Sequence, residues 1–258
     1  MRQKWGQNFL VDKNTAERIV ESLAPFSGPV IEIGPGKGIL TGLLAERTSD
    51  LTAVELDRDL AAGLAQGWPK VRVVAEDFLE WPFPAGPGPV AFIGNLPYSA
   101  ANAILRKVLD WTGWDRAVFM VQKEVADRIV AAPCSRDYGI LTLAVQGKAE
   151  AESLFDVPPR CFQPRPQVTS TVVRLKRWPA SKIRDEKKFF RAVRAAFGQR
   201  RKTIGNSLSR VLGLEKNAVE DCLKRAGFDV VRRAETFTLE EFNRLAEILP
   251  ENGQGQRQ

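Results

Sequence analysis

Near the middle of the chain, Asn95-Leu96-Pro97-Tyr98 follows the apolar run Val90 to Ile93 after a single glycine. An amino group on an aromatic base is a poor nucleophile, because its lone pair is delocalised into the ring. Two fixed acceptors change this. If the Asn95 side-chain oxygen and the Leu96 carbonyl take its two hydrogens, the nitrogen is held toward an electrophile and its pyramidal form is stabilised. Pro97 restricts the local backbone and keeps the carbonyl aimed. Tyr98 offers a ring for stacking an extruded base and Phe162 is a candidate for the other face; such stacking contributes about 1–3 kcal/mol per base. The competing readings make Asn95 to Tyr98 an ordinary turn and Phe162 a core residue. Histidine is absent from all 258 residues, which removes every imidazole triad or relay. None is needed, since an alkylated aromatic ammonium is acidic enough to lose its proton to water.

Earlier in the chain, Glu32-Ile33-Gly34-Pro35-Gly36-Lys37-Gly38 joins an apolar run to a helical pattern starting near Ile39. Glycines such as Gly34 and Gly36 let backbone pass close to a ligand. A dinucleotide fingerprint requires Gly or Ala at position 39, where this chain has Ile. Acids follow at the next two strand ends: Glu55, placed to accept the hydroxyls of a ribose, and Asp77, placed to accept from an adenine amine. S-adenosylmethionine carries a sulfonium and an ammonium but no phosphate, so this acidic pocket suits it where a pyrophosphate would be repelled. Taken singly, Glu55 and Asp77 read equally well as caps of the helices that follow.

These groups need a scaffold that brings strand ends to one edge. Runs rich in Val, Ile and Leu recur at Pro29 to Ile33, Leu51 to Leu56, Val71 to Ala75, Val90 to Ile93, Ala117 to Val121 and Ile140 to Val145. Helical patterns lie between them, at Ile39 to Arg47, Arg58 to Ala65, Ala100 to Leu109 and Glu124 to Ala131. Asn14 with Glu17 resembles a capping box that opens a first helix. Such alternation predicts an α/β fold, a doubly wound Rossmann-like sheet. A last strand, Thr169 to Lys176, follows a Pro-rich stretch and suits an edge hairpin. From Asp185 onward the pattern is helical only. The expected domains are therefore 1–178, catalytic and cofactor-binding, and 179–258, small and all-α, with a disordered polar tail from Glu251.

Charge divides the same way. The formal charge is +7, yet Lys176 to Arg233 alone holds 17 Lys and Arg against 6 Asp and Glu. A basic helical module on an acidic body implies a polyanionic partner. Arg200, Arg201 and Lys202 are the candidate phosphate contacts, extended by Arg2 and Lys4, although a solvated face is the plainer reading of such a run. Cys134, Cys161 and Cys222 are too far apart for a metal site or a disulfide framework. With no apolar segment of membrane-spanning length and no secretory leader, a soluble cytoplasmic monomer is expected.

The tetrapeptide and its neighbours carry a resemblance. Together with Gly6-Gln7-Asn8-Phe9-Leu10, Val121-Gln122-Lys123-Glu124-Val125-Ala126-Asp127-Arg128, Tyr138-Gly139, Phe162-x-Pro164-x-Pro166-x-Val168-x-Ser170, Arg200-Arg201-Lys202-Thr203-Ile204 and Arg233-Ala234-Glu235, it is similar to the KsgA-type small-subunit ribosomal RNA adenine dimethyltransferases over nearly the whole chain. The resemblance implies cofactor contacts at Asn8, Leu10, Gly34, Glu55, Asp77 and Asn95. The implied substrate is the pair of adjacent adenosines in the 3′-terminal hairpin loop of 16S RNA, within an immature small subunit. The chain departs from the family in reading Ser99-Ala100-Ala101-Asn102 after the tetrapeptide. Two other readings stay open. One is a resistance-type methyltransferase of large-subunit RNA, which tends to carry Ile in place of Leu96. The other is a non-catalytic RNA-binding assembly or transcription factor.

Overall fold

Apolar runs with little polar alternation can lie only where both faces are covered, and most of those above form the centre of one sheet. The computed structural model describes residues 8–84 and 88–250. The expectations that fall on Arg2, Lys4, Gly6, Gln7 and the tail 251–258 lie outside the described residues. The chain divides into two compact units, Met1–Asp127 with Ala149–Trp178, and Arg128–Lys148 with Pro179–Gln258.

In chain order the first unit contains β1 (Phe9–Leu10), α1 (Lys13–Glu21), β2 (Val30–Ile33), α2 (Ile39–Ala45), β3 (Leu51–Val54), α3 (Arg58–Gly67), β4 (Arg72–Val74), β5 (Val90–Asn95), α4 (Ala101–Asp110) and β6 (Trp114–Gln122). The division falls within α5 (Lys123–Val130), and the unit resumes with β7 (Ala149–Val157), β8 (Phe162–Gln163) and β9 (Ser170–Arg177). Among the described residues the main sheet has the order β4-β3-β2-β5-β6-β9-β7. The first five strands are parallel, and β9 runs antiparallel to both β6 and β7. The flanking helices bury residues at helical spacing: Leu40 and Leu44 on α2, Ala61 and Leu64 on α3, Ile104, Leu105 and Val108 on α4. A separate two-stranded pair joins β1 to β8, with Leu10 opposite Phe162.

One local expectation is corrected here. The first helix is capped by Asp12, whose Oδ1 accepts the Thr15 N–H at 2.8 Å, and not by Asn14. Hydrogen bonding from Thr15, through its side chain first and then its backbone N–H, holds the Asp12 carboxyl below its ordinary pKa. The strand from Thr169, β9, pairs antiparallel with β7 at the sheet edge, as expected for an edge hairpin, with β7 outermost. β7 escaped notice because Ala149-Glu150-Ala151-Glu152 has weak strand propensity, although its alternation carried a period of two.

The second unit contains α6 (Ile140–Gln146), α7 (Glu186–Phe197), α8 (Ile204–Leu212), α9 (Lys216–Arg225) and α10 (Leu239–Ile248). The run Ile140 to Val145, expected as a strand, is α6, since a short apolar run does not distinguish strand from buried helix. The Thr142 hydroxyl settles it locally, accepting from Gly139 N and donating to Arg128 O. Ala131, Tyr138 and Leu143 share one buried cluster with Phe189, Phe197, Phe237 and Phe242, and the Tyr138 hydroxyl donates to Phe237 O at 2.8 Å. Residues 128–148 therefore pack with the C-terminal helices, which corrects their assignment to the 1–178 domain. Among the described residues no helix is long and apolar enough to cross a membrane.

Candidate active site

β2 has β3 on one side and β5 on the other, so the parallel order reverses beside it, and ligands bind at the carboxyl edge of such a switch point. The chain places its polar groups along that edge. Asp77 follows β4, Glu55 follows β3, Gly34 follows β2, and Asn95 ends β5. Neighbouring strands are spaced about 4.8 Å apart, so the row spans about 14 Å, enough for an extended nucleoside joined to an amino acid. A cavity of about 470 Å³ opens there, lined by these residues together with Asn8, Phe9, Leu10, Glu32, Gly36 and Leu96.

Gly34 and Gly94 show why glycine is needed. Gly34 has φ +64°, and a Cβ built on it meets nothing within 4 Å, so the backbone leaves an open cradle that a side chain would enter. A Cβ on Gly94 would lie 2.5 Å from Ile33 O, because β5 and β2 approach closely just before Asn95. Glu55 is 2% exposed. Its Oε2 accepts from Gly36 N at 2.9 Å and its Oε1 from Asp57 N at 3.0 Å, leaving each oxygen a lone pair for a hydroxyl. Half-buried Asp77 accepts the Leu79 N–H through Oδ1 at 2.8 Å. Buried Glu32 accepts the Thr41 hydroxyl at 2.7 Å. Burial pushes the Glu32 carboxyl up to about 8; the Thr41 hydrogen bond opposes that shift, and the neighbouring Glu55 adds to it. This donor set fits S-adenosylmethionine: ribose hydroxyls would find acceptors at Glu55, an adenine amine would find one at Asp77, and the loop has an open cradle at Gly34.

The orientation of Asn95 is readable from one contact. Its Nδ2 donates to Asn8 O at 3.2 Å. A carbonyl can only accept, so the amino end of the amide must face Asn8 and Oδ1 must face the other way. Leu96 N donates to Met120 O, and Ala100 N donates to Pro97 O, closing a turn from Pro97 to Ala100. The Tyr98 hydroxyl meets the Oγ of buried Ser170 at 2.9 Å, which fixes the ring by its far end.

Not every expected residue reaches the cavity. Phe162 is 3% exposed and belongs to the core under β1, in one cluster with Leu10, Cys161 and Val172; it does not line the cavity. That burial favours the core reading of Phe162 over a second stacking face. Arg201 and Lys202 are exposed in the α7–α8 connection. Arg200 is committed in part to its own unit, its guanidinium donating to Arg136 O at 2.6 Å and Tyr138 O at 3.3 Å. Sequence reasoning missed Phe9, whose ring approaches Gly36 and lies 5.0 Å from Lys37 Nζ; its place between Asn8 and Leu10 was the available signal. It also missed the tether from Ser170 to Tyr98, 72 residues apart in sequence, for which no local pattern exists.

Comparison with known proteins adds to this geometry. Residues 1–251 match the family model described as ribosomal RNA adenine dimethylase. A ribosomal RNA small subunit methyltransferase A of Desulfitobacterium hafniense (strain DSM 10664 / DCB-2) is 45% identical over 264 residues, covering 96% of this chain and 91% of that protein. One from Thiobacillus denitrificans (strain ATCC 25259 / T1) is 40% identical over 254 residues, covering 96% and 97%. Among solved structures, the 23S rRNA methyltransferase ErmE is 32% identical with a TM-score of 0.72, covering 94% of this chain and 99% of its own. A dimethyladenosine transferase from Plasmodium falciparum shares the fold with a TM-score of 0.80 at 21% identity, covering 92% and 95%.

Proposed function

The chain belongs to the ribosomal RNA adenine dimethylase family, and from that premise we propose that its cavity holds the cofactor and the target base side by side at the carboxyl ends of β2 to β5. It is an S-adenosylmethionine-dependent adenine dimethyltransferase acting on ribosomal RNA. The substrate we assign is the pair of adjacent adenosines in the 3′-terminal hairpin loop of 16S RNA, modified at N6 within an immature small subunit by a cytoplasmic monomer. When bound, the cofactor supplies an electrophilic methyl carbon on a sulfonium. Asp77 would accept from its adenine amine, Glu55 from its ribose hydroxyls, and Gly34 and Gly36 would let it lie against the loop, with Asn8 and Leu10 at its flank. Asn95 Oδ1 and the Leu96 carbonyl take the two hydrogens of the target amine, Pro97 holds that carbonyl, and Tyr98 stacks on the base.

The observation that carries this reading is the Asn95 amide at the cavity wall, whose Nδ2 is engaged by Asn8 O so that Oδ1 remains to accept. Incubating immature small subunits with the protein and labelled cofactor should yield N6,N6-dimethyladenosine in their RNA, with naked RNA modified poorly. Incorporation only into large-subunit RNA would overturn the substrate assignment. Cofactor binding without transfer to any particle would overturn the catalytic one.

Phosphate contacts are assigned to Arg201 and Lys202, whose side chains reach solvent, with Arg200 bracing the connection that carries them. Each phosphate contact to single-stranded RNA contributes about 0.7 to the slope of log affinity against log salt. Replacing both by Ala should therefore make the slope shallower by roughly 1.4 and weaken binding at low salt. An unchanged slope in a filter-binding titration removes these two residues from the interface.

A further inference from the structure

α4 carries a lysine that the reading above does not use. Lys107 Nζ donates to three backbone carbonyls, Phe78 O at 2.7 Å, Leu79 O at 2.8 Å and Trp81 O at 2.6 Å. It lies 5.3 Å and 5.1 Å from the ring centroids of Phe78 and Phe83. Burial lowers its pKa, and the carboxylates of Glu80 and Asp77 oppose that shift, so the ammonium is within electrostatic reach of both.

The segment it grips is a single turn. Asp77 O accepts from Glu80 N at 3.0 Å and from Trp81 N at 2.8 Å, while Asp77 Oδ1 accepts from Leu79 N. Asp77 thus caps the start of the turn, and the carbonyls beyond it point out with no continuing helix to receive them. Such a cluster carries partial negative charge and requires donors. One ammonium supplies all three. Without it the carbonyls crowd one another unpartnered, and they can regain donors only by rotating the turn, which displaces the carboxylate at its head.

We infer that Lys107 is a positioning residue: by clamping the Asp77–Trp81 turn it sets the adenine end of the cofactor pocket and sharpens the selection of adenine over other bases there. The inference rests on the assignment of Asp77 to the cofactor's amine. Two ligands test it by calorimetry: S-adenosylhomocysteine, and S-inosylhomocysteine, in which oxygen replaces the 6-amino group. Both are titrated into one preparation, so the ratio of their affinities does not depend on how much of the protein is folded. The unsubstituted protein should prefer the adenine ligand, and Lys107→Met should reduce that preference about tenfold. Lys107→Gln, whose amide keeps two of the three N–H donors, serves where the methionine variant folds too poorly to titrate, with a smaller loss of the same preference expected. A preference that survives the substitution, even with both affinities lowered together, overturns the role of Lys107 and leaves that of Asp77 standing. No preference in the unsubstituted protein overturns both.

Discussion

Asn95→Ala is expected to lower single-turnover methyl transfer to immature small subunits by about 10²–10³-fold at saturating cofactor, with RNA affinity changed by less than about threefold. Its Oδ1 meets an amine hydrogen most strongly when the nitrogen becomes pyramidal and positive. The loss therefore falls on the transition state and not on the ground state. The Nδ2 tether to Asn8 O makes the assignment specific, because it fixes which end of the amide faces the base. A variant that turned over at the rate of the unsubstituted protein would remove Asn95 as the amine acceptor.

Glu32→Gln should raise stability, and by more at high pH. The Glu32 carboxyl is pushed up to about 8 in the folded chain, against an ordinary value of 4.5. Between those values the native state keeps a proton that the unfolded chain has lost. The stabilising contribution is therefore full below pH 4.5, falls as pH rises, and is gone above 8. The whole change is on the order of 5 kcal/mol. Glutamine preserves the acceptor for the Thr41 hydroxyl and has no proton to lose. Urea unfolding at pH 5 and pH 9 should show the variant gaining over the parent at pH 9 by that order, and little at pH 5. An equal difference at both values would mean that Glu32 is not held protonated by burial.

Much of the site was legible in sequence because each of its groups adjoins an apolar run. Glu32, Gly34, Glu55, Asp77 and Asn95 sit at or just beyond strand ends, and a parallel sheet must carry such ends to one edge. What stayed hidden depends on contacts made across the chain. Phe162 follows a Pro-rich stretch in either role, and only its pairing opposite Leu10 sends the ring inward. Ile140 to Val145 becomes helix through a hydroxyl that reaches Arg128 O. Residues 128–148 join the second unit because Tyr138 and Leu143 complete its aromatic core. Lys107 adjoins the buried stripe of Ile104, Leu105 and Val108, a visible oddity whose meaning lies in carbonyls 26 to 29 residues earlier.

A crystal structure with S-adenosylmethionine bound tests the central claim most directly. Adenine is expected against Asp77, ribose hydroxyls on Glu55, and the sulfonium methyl turned toward Asn95 Oδ1 and the Leu96 carbonyl. A cofactor seated elsewhere, or one with its methyl turned away from those two oxygens, would contradict it.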